Sequence, residues 1–367
     1  MIEDPMEEKL KQMTLEEKIG QLTLVGLDGY EVNEQTRSLI EDYYVGGFIV
    51  LGGNVESTEQ LINLTNELKR INTNNTIPLF LAIDEEGGNI SRMPDEFVDL
   101  PTNQLIGNVN DPSLSYEIGQ TLAHQIKSFG FNINFAPVMD IDSNPDNPVI
   151  GDRSFSSNVE IVSKLGIETM KGMQAEGVIS VVKHFPGHGD TFVDSHLGLP
   201  RVNKDLNNLM EFEFVPFIEA KNNGADAMMV AHILYEKIDP EYPASLSNEI
   251  ISGILREQLG FDGLIFTDDL TMAAILDNYD ITEAAILSIK AGNDIVLVAH
   301  ENQMEVLKAL KKAVETGEIS EERVNESVYR ILKFKLDYDL HDKEIDFVDV
   351  NQINSRLKEI IDSIPTK

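Results

Sequence analysis

The sequence predicts a single (β/α)8 barrel, and three observations carry that expectation. Eight short apolar or β-branched runs recur along the chain, separated by longer stretches with helical spacing. Titratable residues stand at the C-terminal ends of most of these runs, where barrels gather their chemistry. No stretch rich in glycine, proline or serine divides the 367 residues, so they read as one barrel over 1–336 and a helical tail over 337–367. An open doubly wound sheet is the alternative, but eight regularly spaced strands favour closure.

Taken in order, Thr14 and Glu17 fit a capping box before a short helix, Leu15–Gln21, and Leu22–Val25 follows as the first strand. The other seven strands fall at Gly47–Leu51, Leu79–Ile83, Asn132–Ala136, Val178–Val182, Ala227–Ala231, Leu264–Thr267 and Asp294–Val298. Between them, helical spacing covers Gln35–Tyr44, Thr58–Ile71, Pro112–Ser128, Val159–Glu176, Lys204–Asn222, Asn248–Leu259 and Ile281–Ala291. Glu301–Thr316 and Glu321–Leu336 come after the last strand. In the tail, Ile353, Leu357, Ile360, Ile361 and Ile364 share a helix face that packs back on the barrel or supports a dimer.

Composition narrows the function classes. A net charge of −34, with 63 acidic against 29 basic residues, repels nucleic acid and anionic membranes. The absence of cysteine excludes disulfides and thiolate metal sites. No run of apolar residues is long enough for a transmembrane helix, and the acidic start, MIEDPMEEKLKQ, is unlike a secretory signal. A cytoplasmic enzyme, monomeric or weakly dimeric, is the expectation.

The densest chemistry lies in KHFPGHGDTFVDSH, Lys183 to His196, which runs directly out of the fifth strand. Other strand ends add Asp84, Asp140, Asp142, His232, Asp268 and Asp269. Any one of these carboxylates could be a turn or cap residue; their convergence is what points to a site. Asp194 and His196 stand two apart, so in an extended segment the carboxylate reaches the imidazole, fixes its tautomer and favours the protonated form. That makes His196 a candidate general acid. His184, His188, Asp190 and His196 also invite a metal reading, but Pro186 and two glycines break the helix that an HxxxH pair needs, and no metal or cofactor is expected.

With these residues in place, KHFPGHGDT followed by DSH resembles the β-N-acetylglucosaminidases of glycoside hydrolase family 3. MTLEEKIGQL, IDEEGG at Ile83–Gly88, the segment Asn134–Phe155 and FTDDLTM at Phe266–Met272 are similar to family segments in family order. The resemblance implies a (β/α)8 barrel, Asp268 as catalytic nucleophile and His196 as acid/base assisted by Asp194. It further implies that Asp84, Arg92, Arg153, Lys183 and His184 hold the sugar's hydroxyls and acetamido group. The residues alone do not choose between Asp268 and Asp269. Adjacent strand residues point to opposite faces, so one should enter the mouth, and the family pattern selects Asp268.

Two departures stand out. Relatives often read DQEGGR where this chain has Asp84 to Asn89 as DEEGGN. Many β-glucosidases of the family take their acid from a domain after the barrel, whereas here the expectation is that it comes from within the barrel, in the Asp194–His196 loop. The implied activity is a retaining exo-β-N-acetylglucosaminidase acting on muropeptide-type or related GlcNAc glycosides, with a glycosyl-enzyme on Asp268. Gly187 and Gly189 would let the acid loop swing. A GlcNAc phosphorylase, a β-glucosidase and a non-catalytic carbohydrate-binding protein are the rival readings.

Overall fold

Eight parallel strands close into a barrel in the computed structural model, which describes residues 4–364. They are β1 (Thr23–Val25), β2 (Gly47–Val50), β3 (Phe80–Ile83), β4 (Ile133–Asn134), β5 (Ile179–Phe185), β6 (Ala227–Val230), β7 (Leu264–Asp269) and β8 (Ile295–Val298). Each pairs with its neighbours in sequence, and β1 closes on β8 with Leu24 opposite Leu297. All residues of β1 to β6 and of β8 are buried, as expected for strands covered on the outside by helices and filled inside by side chains. Phe135, just past β4, meets Phe266 of β7 edge to face at 5.6 Å, a contact that spans the barrel interior.

Three strands depart clearly in length from the sequence expectation: β7 runs on to Asp269, and β4 and β5 change for local reasons. β4 ends at Asn134 because Pro137 follows closely and cannot donate to a ladder; only an isolated bridge, Val138 to Lys183, continues the pairing. β5 instead runs on through Lys183 and His184 to Phe185, which pairs with Val230. Its register against β6 shifts between Val182 and Phe185, and that of β7 against β8 shifts between Ile295 and Leu297. Such bulges suspend the in–out alternation of side chains. Both fall where the chemistry is.

The predicted helix Lys204–Asn222 is two helices, Leu206–Glu211 and Val215–Asn222. Pro216 lies in the first turn of the second, where it needs no donor, but its ring would clash with an uninterrupted preceding turn. The break buries Glu213 against Lys204 and Phe214 against Phe185. Pro5–Gln12, capped by Asp4, and Asn103–Val109 are helices that the periodicity did not single out. The expected capping box forms: Thr14 Oγ1 accepts from the Glu17 amide, and Glu17 accepts from the Thr14 amide at 2.7 Å.

At the end of the barrel away from the site, one buried carboxylate joins several elements. Asp294, just before β8, accepts from Arg256, from Arg330 at 3.2 Å, from Ser327 at 2.7 Å and from the Ile265 amide at 3.0 Å. The tail helix Val350–Ser363 lies along Pro112–Ser128 with Ile353, Leu357 and Ile360 buried. Among the described residues no helix is long and apolar enough to cross a membrane.

Candidate active site at the barrel mouth

The C-terminal ends of the strands enclose a cavity of about 360 Å³, the size of a small-ligand site. Seven of the eight residues proposed from sequence line it: Asp84, Arg92, Arg153, Lys183, His184, His196 and Asp268. The eighth, Asp194, stands behind His196. Its Oδ1 accepts from the His196 amide and faces His196 Nδ1, both at 2.8 Å, which leaves Nε2 free to act. The imidazole is 64% exposed while Asp194 is 25% exposed, so the ring is accessible from solvent and its partner is sheltered.

On the β3–β5 side, charges interlock. Lys183 Nζ sits 2.7 Å from Asp84 Oδ1 and 2.6 Å from Glu86 Oε1. Arg153 grips Glu86 with two bonds, Nε to Oε2 at 2.9 Å and Nη2 to Oε1 at 2.8 Å. Burial opposes the Glu86 charge, but Lys183 and Arg153 hold its carboxyl well below the ordinary carboxylate range. Burial likewise opposes the Lys183 charge, yet Asp84 and Glu86 raise its pKa. Two carboxylates and two cations with fixed geometry can accept from and donate to sugar hydroxyls. Glu86 was not singled out in the sequence, although it lies within IDEEGG; its role needs the bidentate contact across the chain to be visible.

Asp140, placed after β4 by the sequence, does not line the cavity. It is fully buried and organises those residues that do. Its Oδ2 faces His184 Nδ1 at 2.7 Å, and its Oδ1 accepts the His188 amide at 2.6 Å. His232 is likewise support: with Ser245 on Nδ1 at 2.7 Å, its Nε2 donates to the Asp269 carbonyl at 2.9 Å. Burial lowers its pKa, in keeping with a neutral ring.

Asp268 and Asp269 both reach the cavity wall, so the expectation that only one would enter the mouth does not hold. The register shift at the β7 end is the reason. Their chemistry still differs. The Asp269 carboxylate accepts from Thr271 N and Oγ1 and from the Ala299 amide, which occupies it in tying the β7 and β8 loops. Among the described residues Asp268 accepts only the Asp269 amide, at 2.9 Å. Burial works against its charge, but the His232 and His184 imidazoles and that amide keep its carboxyl below the ordinary range.

Of the two glycines expected to let the acid loop swing, Gly187 stands at φ +131° and Gly189 packs closely. A Cβ on Gly189 would lie 1.7 Å from the Ile141 carbonyl oxygen, so this glycine serves close packing rather than freedom. The metal reading also has its ligands engaged elsewhere: Asp190 pairs with Lys204 at 2.6 Å, and His184 faces Asp140. Among the described residues no three His, Cys, Asp or Glu side chains are grouped as metal ligands would be. Asn89, where the resemblance implies a basic residue, donates to Asp152 at 2.8 Å.

A closed barrel that gathers these groups at the C-terminal ends of its strands has its candidate site where (β/α)8 enzymes place theirs. The chain belongs to glycosyl hydrolase family 3, whose N-terminal domain matches residues 14–334. It is 38% identical over 323 residues to a β-hexosaminidase A from Pseudoalteromonas piscicida, an alignment covering 81% of this chain and 54% of that one. The chain therefore spans about half the length of that relative. A β-hexosaminidase from Nitrosomonas eutropha is 33% identical over 317 residues, covering 83% of this chain and 90% of the other. The structure of a glycoside hydrolase family 3 β-N-acetylglucosaminidase from Paenibacillus sp. str. FPU-7 superposes with a TM-score of 0.88 at 40% identity, over 95% of this chain and 68% of that chain.

Proposed function

We propose that this chain is a retaining exo-β-N-acetylglucosaminidase. The observation that carries the reading is one cavity lined by Asp268, free of competing side-chain partners among the described residues, and by His196, backed at 2.8 Å by Asp194. Asp268 attacks the anomeric carbon while the His196 imidazolium protonates the departing oxygen, leaving a glycosyl-enzyme. His196, now neutral, takes a proton from water, which displaces Asp268 from the sugar. Asp84, Arg92, Arg153, Lys183 and His184 bind the ring's hydroxyls and acetamido group. The names of the relatives support GlcNAc rather than glucose as the sugar, and muropeptide-type fragments as well as other GlcNAc glycosides are the substrates we assign.

The test compares aryl β-GlcNAc with aryl β-glucoside, and a GlcNAc–MurNAc fragment with a GlcNAc disaccharide. Turnover of the GlcNAc glycoside well above the glucoside is expected. Preference for the glucoside would overturn the sugar assignment, and release of sugar 1-phosphate in phosphate buffer would replace hydrolysis with phosphorolysis.

A further inference from the structure

His188 lies in the acid loop, yet the mechanism above gives it no part. It is 1% exposed, and every polar atom it carries has a partner. Its amide donates to Asp140 Oδ1 at 2.6 Å. Its Nδ1 faces Thr191 Oγ1 at 2.8 Å, and its Nε2 faces Ser195 Oγ at 3.2 Å. The directions of these bonds follow from the Thr191 hydroxyl, whose proton goes to the His188 carbonyl at 3.0 Å. Thr191 Oγ1 must then accept from Nδ1–H, so Nε2 bears the lone pair and accepts from the Ser195 hydroxyl.

Ser195 is the residue between Asp194 and His196. It is 2% exposed and held from two sides. Its hydroxyl goes to His188, and its carbonyl accepts the Ala274 amide at 3.1 Å, at the start of the helix that follows β7 and Asp268. Two asparagines fasten the rest of the loop. Asn147 Nδ2 donates to the His188 carbonyl at 2.8 Å, and Asn144 Nδ2 to the Thr191 carbonyl at 3.0 Å. By contrast Phe192, Val193 and Leu197 are exposed, so the loop has little apolar packing of its own to fix it.

From this network we infer that His188 is a positioning residue for the acid/base pair. Its neutral imidazole latches Ser195 and thereby sets where His196 stands relative to the nucleophile strand. Asp140 extends the latch to the sugar-binding side, because its second oxygen orients His184. Burial, with His184 nearby, lowers the His188 pKa to about 4, so the lone pair on Nε2 persists through neutral pH. The inference rests on the assignment of His196 as acid/base and specifies what holds that residue in register.

Three variants test it on two substrates, a GlcNAc disaccharide and a nitrophenyl β-GlcNAc. Ser195→Ala removes the latch with a minimal change in volume. His188→Asn keeps a polar atom near Thr191 but cannot reach Ser195, whereas His188→Gln places a carbonyl acceptor near the Nε2 position. Misplacing a reacting group by about 1 Å costs roughly 10–100-fold. Ser195→Ala and His188→Asn should each lower kcat/KM, which reports formation of the glycosyl-enzyme, by about that factor on the disaccharide and far less on the nitrophenyl substrate, whose kcat falls instead at the hydrolysis step where His196 acts as base. His188→Gln should restore most of the loss, and Ser195→Ala/His188→Asn should be no worse than either single change. Equal losses of kcat/KM on both substrates, additive losses, or an unaffected Ser195→Ala would overturn the latch.

His196→Ala measured alongside separates the two readings. If its kcat/KM is lowered equally on both substrates, the acid assignment fails and takes the latch with it. A leaving-group-selective His196→Ala beside a fully active Ser195→Ala would sink the latch alone.

Discussion

Asp268 and Asp269 show how two identical side chains on adjacent residues take different work. The Asp269 carboxylate is occupied by Thr271 and Ala299, and that of Asp268 is left for the cavity. Asp268→Ala should reduce turnover by on the order of 10⁴-fold or more. Asp269→Ala should instead lower stability by about 1–3 kcal/mol with turnover largely kept, since loop donors lose their acceptor. Reversed losses would exchange the two assignments. Glu85 offers a second test at this scale. Burial raises its pKa to about 7, while the Arg92 amide and Ser91 hydroxyl bond to its Oε2. Because the folded pKa lies above the unfolded one, this contribution to stability is complete below the unfolded pKa and is lost as pH rises through about 7. Glutamine, the residue in the related DQEGGR pattern, keeps the acceptor and does not titrate. Glu85→Gln should therefore gain melting temperature over the parent when pH is raised from about 5 to about 8.5. A difference that stays constant across that range would mean that burial does not hold Glu85 protonated.

At the scale of elements, the barrel separates chemistry from stability. The strand ends at the mouth carry bulges and titratable clusters, whereas the opposite end is fastened by Asp294. That carboxylate joins the helix Glu249–Gln258 through Arg256, β7 through the Ile265 amide, and the helix Glu321–Asp337 through Ser327 and Arg330. Removing one partner of a buried ion pair leaves the others charged without compensation, at a cost of about 3–5 kcal/mol. Asp294→Ala should show that loss in urea denaturation with an unchanged m-value, and should keep KM for the nitrophenyl glycoside wherever it remains folded. A large KM change with undiminished stability would mean that the two ends of the barrel are coupled in a way these contacts do not explain.

For the whole molecule, the excess of 63 acidic over 29 basic residues is a source of self-repulsion in the folded state. Salt screens charges beyond about 10 Å at about 0.1 M, while the buried pairs at Glu86 and Asp294 are screened little. The melting temperature should consequently rise between about 20 mM and about 200 mM sodium chloride. A fall would mean that surface ion pairs outweigh the net repulsion. The stereochemistry of the reaction also belongs to this scale, because nucleophile and acid come from different strand ends brought together only by closure. Two inversions at the anomeric carbon deliver the β-anomer first. Proton NMR showing the α-anomer first would exclude a covalent intermediate on Asp268.

By itself the sequence determined the alternation of strands and helices, since periods of two and 3.6 are local properties of the chain. It also placed Asp84, Lys183, His184, Asp268 and Asp269 at strand ends and paired Asp194 with His196, because those depend on short spacings. The break in Lys204–Asn222 was not read from the sequence, although Pro216 carries a signal for it. The tertiary structure decided what depends on partners far away in sequence. Glu86 acquires its role only when Arg153 and Lys183 arrive from two other strand ends. Asp140 moves from candidate site residue to buried organiser because His184 and His188 fold back over it. The bulges that bring both Asp268 and Asp269 to the wall arise from register between strands, which no single strand encodes. Gly189 reads as a hinge in the sequence and is a packing contact in the fold, because what a glycine permits depends on the atom opposite it.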